Sequence, residues 1–231
     1  MSPTETGLLI LAAILLCTLA VSLTQRLVSR RQLRLARSTE LQEDIRHLNY
    51  LADNLPAPFQ STDIRHALAA NLTLKLTELQ QLAPEVCSEE ERQMWQQHLE
   101  EPLDEAALPP GALTRLPDQH SARRVRALLR DLAQLLRLQQ ERRELPGEMA
   151  EQCLRHIKSG YHRVSCDLGI MDAQALEADG RAQLAAHQYR SCLGKLRAIR
   201  AMQDTAPQIQ NLQRHLEQLE RELNASQAQG D

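Results

Sequence analysis

The sequence predicts an all-α protein: an N-terminal transmembrane helix that continues into a long helix, then a multi-helix bundle or short helical-repeat-like domain. Three observations carry this expectation. No stretch alternates apolar and polar residues with the period of two that a half-buried strand requires. Leucines recur instead at spacings of three and four, which puts them on one face of a helix. Finally, the uncharged run Gly7–Leu23 is rich in Leu, Ile and Ala and is followed by five arginines, the pattern of a span with its cytoplasmic flank.

Residues 1–6 read as a short extracytoplasmic leader, which carries Glu5 and lacks the basic start of an export signal. Residues 7–28 are the expected transmembrane anchor. Ala20-Val21-Ser22 is a poor cleavage site, and Leu16 is too bulky to precede a lipid-modified Cys17, so retention of the anchor is expected. Arg26, Arg30, Arg31, Arg34 and Arg37 would then set the topology and meet anionic headgroups at the membrane surface. That orientation places the N-terminus outside and the C-terminal domain in the cytoplasm, as in a bacterial inner membrane. Residues 29–55 form a juxtamembrane connecting helix, because neither Gly nor Pro interrupts the chain from Leu8 to Leu55. Its stripe of Leu41, Ile45, Leu48 and Leu51 calls for a packing partner.

Pro56 and Pro58 end that helix, and an acidic helical segment follows over 61–101. Ser61-Thr62-Asp63 offers N-caps for a helix with Ile64, Leu68, Leu72, Leu76 and Leu79 on one face, closed by Pro84. Ser88 with Glu91 makes a capping box for a short helix containing Trp95. Residues 102–117, with four prolines, read as a linker. The C-terminal helical segment covers 118–231. It opens with a strong helix from about Ser121 to Leu145, broken by Pro146-Gly147. A second helix runs from about Glu148 to Leu168 with Gly160 as a weak point, and Asp172 is expected to cap the next. A final helix over 207–225 carries Ile209, Leu212, Leu216, Leu219 and Leu223, a two-heptad coiled-coil seam that serves weak self-association or packs on the chain's own body.

Within this segment, LEADGRAQLAAHQYRSCLGKLRAI resembles a single tetratricopeptide-repeat hairpin, with Gly180, Tyr189, Cys192, Leu196 and Ile199 at the family's spacings. The resemblance implies a helical hairpin over 173–203 that turns near His187, with Gly180 allowing close helix packing. A partner surface is accordingly expected at Gly180, Tyr189, Leu196, Leu212, Leu216 and Leu219.

Charge is unevenly spread: residues 40–120 hold 5 basic against 15 acidic groups, and residues 121–163 hold 10 against 5. The basic helix 121–143, with Arg123, Arg124, Arg126, Arg130, Arg137, Arg142 and Arg143, could meet phosphates, although Asp131 and Glu141 interrupt it and no aromatic platform accompanies it. Cys153, His156, His162 and Cys166 are four potential zinc ligands, yet on one continuous helix the two pairs point apart. The repeated DIRH, at 44–47 and 63–66, puts an acid and a histidine on one helix face. The five cysteines lack disulfide-framework spacing and are expected to be reduced thiols.

No phosphate-cradling glycine loop, nucleophile elbow or His-Glu-x-x-His is present, and no cofactor is expected. The leading functional expectation is therefore a single-pass, membrane-anchored cytoplasmic helical adaptor or scaffold for protein–protein interaction. The alternatives are a membrane-tethered nucleic-acid-binding protein that uses 121–143, and an enzyme with an unrecognised helical site.

Overall fold

The structure, a computed structural model, describes residues 3–86, 90, 93, 94, 97 and 107–228. The side chains of 3–21, 23, 26, 27, 30 and 226–228 lie outside that description. Among the described residues there are six α-helices and no strand. They are α1 (Pro3–Asn54), α2 (Thr62–Leu82), α3 (Gln119–Glu141), α4 (Gly147–Ala178), α5 (Ala182–Ile199) and α6 (Ala206–Ala228), with a 3-10 turn at Ala57–Phe59. The chain forms two compact units, one of residues 1–47 and 72–94 and the other of residues 48–71 and 95–231.

In the first unit, Leu41, Ile45, Leu72, Leu76 and Leu79 are buried. Arg37 donates to both carboxylate oxygens of Glu78, at 2.8 and 3.0 Å. Lys75, only 4% exposed at its side chain, reaches Asp44 at 3.2 Å, which gives its buried charge a counter-ion. The expected anchor over 7–28 is corrected: among the described residues no helix is long and apolar enough to cross a membrane. The described side chains of α1 begin at Ser22, and from there Arg31, Arg34, Arg37 and Glu40 recur too often for an apolar window. Most side chains of 7–28, with Arg26 and Arg30, lie outside the described residues. The headgroup role of the arginines, the single-pass topology and the cytoplasmic placement rested on that anchor and fall with it. Trp95 and most of the short helix expected around it also lie outside the described residues.

In the second unit, chain breakers act where the sequence puts them. Pro56 follows the last turn of α1, and Phe59 of the 3-10 turn is buried. Ser61 Oγ accepts from Ile64 N at 3.3 Å to start α2. Asp118, one turn earlier than expected, caps α3 by accepting from Ser121 N at 2.8 Å and from the Ser121 hydroxyl at 3.0 Å. The end of α3 is a six-to-one reversal in which Glu144 N donates to Gln139 O at 2.9 Å while Arg143 sits at φ 59. The end of α4 repeats it with the usual residue: Arg181 N donates to Leu176 O at 2.9 Å, and Gly180 holds φ 74.

Two expectations about α4 and α5 change. Asp172 caps nothing, because α4 runs unbroken through it to Ala178. The hairpin predicted over 173–203 turns at 179–181, and His187 is inside α5. Gly160 does not weaken α4. It makes room instead, since a Cβ there would stand 3.3 Å from Phe59 Cδ1 and 3.6 Å from Leu129 Cδ1.

The core of α4, α5 and α6 is made of small side chains interleaved with leucines: Cys166, Ala173, Ala185, Ala186 and Cys192 against Leu196, Leu212 and Ile170. Next to Cys166 of this core lies Asp167, fully buried. Its Oδ2 accepts from Arg115 N at 3.1 Å and Leu116 N at 3.2 Å, and its Oδ1 accepts from Gln208 Nε2 at 2.6 Å. Burial pushes its carboxyl up to about 6, against the opposing pull of those hydrogen bonds. Residues 107–117, the described part of the proline-rich stretch, are consequently bound down. Pro109–Ala112 close a turn with Gly111 at φ 82, and Asn211 Nδ2 donates to Ala112 O at 2.9 Å.

Candidate functional site

α3 and α4 form an antiparallel pair, set by the short reversal at 142–146. The apolar stripe of α3 (Val125, Leu128, Leu129, Leu132, Leu136) is buried. Along one side of the seam the two helices leave an open groove of about 660 Å³. Its apolar lining consists of Ala133 from α3 with Leu154 and Tyr161 from α4, over the buried side chains of Leu129 and Ile157. These residues follow helical spacing on each element, so the floor is continuous. Ala133 keeps the lining low in the middle of the groove, and a leucine at that position would project three further carbons into it. Arg130, Arg137, Arg155 and Lys158 rim the groove, with Glu151 as its one carboxylate.

Where the guanidinium of Arg126 stacks over the ring of Tyr161, 5.5 Å from its centroid, the apolar floor ends. Beyond that stack the seam continues as a smaller, polar pocket. It is lined by Arg123 and Arg126 of α3, by Ser165 and Asp172 of α4, and by Lys195 of α5. One face of the α3/α4 pair thus presents a greasy trough and a polar cup end to end.

The residues singled out from the sequence are distributed as follows. Tyr189, Leu196, Leu212, Leu216 and Leu219 are core residues, between 0% and 7% exposed. The phenol of Tyr189 donates to Glu177 Oε2 at 2.8 Å, and His215 Nε2 meets the same oxygen at 2.9 Å. Burial, and then that carboxylate, hold the Tyr189 hydroxyl well above the ordinary phenol range. Self-association through 209–223 is corrected, because Leu212, Leu216 and Leu219 are buried inside the body that α6 completes. Gly180 is the exposed turn residue. With these side chains turned inward, nothing in the structure supports the expected partner surface.

The four zinc candidates stay apart on a straight α4. Cys153 and Cys166 are fully buried, His162 is exposed, and His156 Nε2 lies 3.3 Å from Asp63 Oδ2. Burial pushes the Cys153 thiol up to about 11 and that of Cys166 to about 12, so neither is a thiolate at neutral pH. Among the described residues no three His, Cys, Asp or Glu side chains could hold a metal ion. The DIRH pairs are otherwise engaged, with Asp44 on Lys75 and Asp63 on Gln152 and His156.

The nucleic-acid reading of 121–143 is corrected as well. Arg123, Arg126, Arg130 and Arg137 line the seam, where Glu151 and Asp172 face them and the floor is partly apolar. Arg124 is bound to Asn54, while Arg142 and Arg143 belong to the helix end. No uninterrupted basic face of the kind a phosphate backbone needs is left over. Sequence reasoning missed Ala133, Leu154, Ile157 and Tyr161 as a set. The available signal was Ala133 set among Leu132, Leu135 and Leu136 on α3, with large apolar residues following the Pro146-Gly147 break. Compared with family models, curated proteins and solved structures, the chain matches none.

Proposed function

We propose that the second unit is a non-catalytic binding module whose α3/α4 groove takes an amphipathic anion, an apolar chain that carries a carboxylate or phosphate. One observation carries the reading: an apolar floor of ligand-pocket size, about 660 Å³, with four cations and one carboxylate at its rim. Apolar surface in the trough supplies affinity in proportion to the area removed from water. The rim selects charge, since Arg130, Arg137, Arg155 and Lys158 would attract an anionic head and repel a cationic one. No side chain of the groove is arranged as nucleophile and base, so the reading assigns binding and no reaction step.

Calorimetric titration of the full chain with dodecanoate, below its micelle concentration, tests this. Saturable binding is expected, with dodecyltrimethylammonium binding at least about tenfold more weakly, a difference of roughly 1.4 kcal/mol. Ala133→Leu should weaken binding at least about tenfold while leaving the thermal midpoint unchanged or raised, because it intrudes on the middle of the trough without adding charge. Equal binding of the anionic and cationic amphiphiles, or unaltered binding by Ala133→Leu, would sink the proposal.

A further inference from the structure

The polar cup beyond Tyr161 has a chemistry of its own. Its volume is about 390 Å³, and three helices wall it. Arg123 and Arg126, one turn apart on α3, face Lys195 of α5 across it, so three cations meet one carboxylate, that of Asp172. The carboxylate is already engaged, because Asp172 Oδ1 accepts from Gln119 Nε2 at 3.0 Å. The same Gln119 accepts from Arg123 Nη2 at 3.2 Å, which ties that guanidinium to the rim. Arg126 is steadied by the Tyr161 ring. Two of the three cations are therefore held in place before any ligand arrives, which lowers the ordering cost of binding. Gln188 adds a neutral amide, and the Ser165 hydroxyl is committed to Tyr161 O at 2.8 Å, leaving its oxygen as an acceptor.

Gly169 forms part of the lining for a steric reason. A Cβ there would stand 2.8 Å from Cys192 Sγ and 3.3 Å from Gln188 Nε2, so a side chain would close the cup from below. The Cys192 thiol, held protonated by burial, contributes no negative charge to the lining.

We propose that this cup is a binding site for a tetrahedral oxyanion of the phosphate class. A divalent oxyanion matches the excess of cations better than a monovalent one, and planar guanidinium forks suit paired oxygens. The anion is either free or the head of an amphiphile whose chain lies in the adjoining trough. The proposal shares only Tyr161 with the groove, as the ring beneath Arg126, and survives if the groove binds nothing.

Titration calorimetry of the full chain with inorganic phosphate, against chloride at equal ionic strength, is the test, with dodecyl phosphate as a second probe. Saturable binding of phosphate is expected. Arg126→Gln and Lys195→Gln should each weaken it at least about tenfold, as loss of one charge-assisted hydrogen bond predicts. Arg137→Gln, in the groove, should leave phosphate binding unchanged. If only dodecyl phosphate saturates and the same two variants weaken it, the cup stands as the head-group site of an amphiphile. If neither probe saturates, or if Arg126→Gln and Lys195→Gln bind as the parent does, the cup is not an anion site.

Discussion

The two halves of α4 show the same helix with and without a neighbour on one side. From Cys166 to Ala173, α5 and α6 close over it, and small residues (Cys166, Ala173, Ala185, Ala186 and Cys192) interleave with Ile170, Tyr189 and Leu196. From Glu151 to Tyr161, beyond the reach of α5, the corresponding side is the open trough, and its residues are large or basic. Small residues among large ones let helix backbones approach until their surfaces interlock, whereas the lining of Leu154 and Tyr161 rimmed by cations has no facing helix to interlock with. The difference between a core and a binding surface on one helix is thus a matter of residue size and rim charge, not of amphipathicity.

Chemical denaturation should read that difference directly. Ile170→Ala, in the closed half, removes fully buried methylenes and should cost about 2–5 kcal/mol. Leu154→Ala, at the trough, should cost less, about 1–2 kcal/mol, because part of its surface stays in water and the space it leaves is open to solvent. Equal costs would mean that the trough is a packed core after all. Gly169→Ala comes next, with an overpacking cost of about 1–3 kcal/mol from the Cys192 contact. Combining it with Cys192→Ala should recover most of that loss, and simple additivity would show that the close approach is not the cause.

The buried carboxyl of Asp167 adds a pH test of the closed half. Its folded value of about 6 lies above the ordinary carboxylate range, so the folded state holds this proton more tightly than the unfolded one. Its contribution to stability should therefore fall as pH rises from about 4 through 6 and stay low above that, the reverse of a salt-bridged carboxylate. Unfolding midpoints of the parent and of Asp167→Asn, compared between pH 5 and 7.5, isolate this group. The parent should lose stability relative to the variant across that interval, and parallel profiles would contradict it.

The smallest effect concerns the two helix ends. Gly180 and Arg143 occupy equivalent left-handed positions, and only the arginine carries a Cβ that crowds its own carbonyl. Arg143→Gly should stabilise the chain by about 0.5–1 kcal/mol, the relief of strain less the added freedom of the unfolded chain. A loss of stability would mean that the Arg143 side chain makes a contact worth more than its strain.

Much of the helix layout was legible from local chemistry. Pro56, Pro84 and Pro146 end or separate helices because proline lacks an N–H and restricts its predecessor, and Ser61 caps α2 for reasons internal to its own turn. Misreadings arose where a residue has two local uses. Asp172 has the chemistry of a cap, but nothing breaks the helix there and its carboxylate goes to Gln119 instead. Gly180 suits close packing or a left-handed turn, and the chain uses it as the turn. The candidate site was less legible than the fold. Arg123, Arg126, Arg130 and Arg137 stood out as charges, but the trough and cup they border require Ala133 and Gly169 to be small opposite particular neighbours.

By itself, the sequence determined that the chain is helical, where most helices begin and end, and which stripe of each is apolar. These properties depend on periods and caps within a few residues of one another. Tertiary structure alone decided which stripes are buried, so that Leu212, Leu216 and Leu219 are core and Leu154 and Tyr161 are lining. It also decided that Asp167 is protonated more readily than an exposed carboxyl and that four arginines of α3 face one seam. The physical reason is that burial, dielectric environment and convergence of charge are set by groups dozens of residues apart along the chain, and no local period records them.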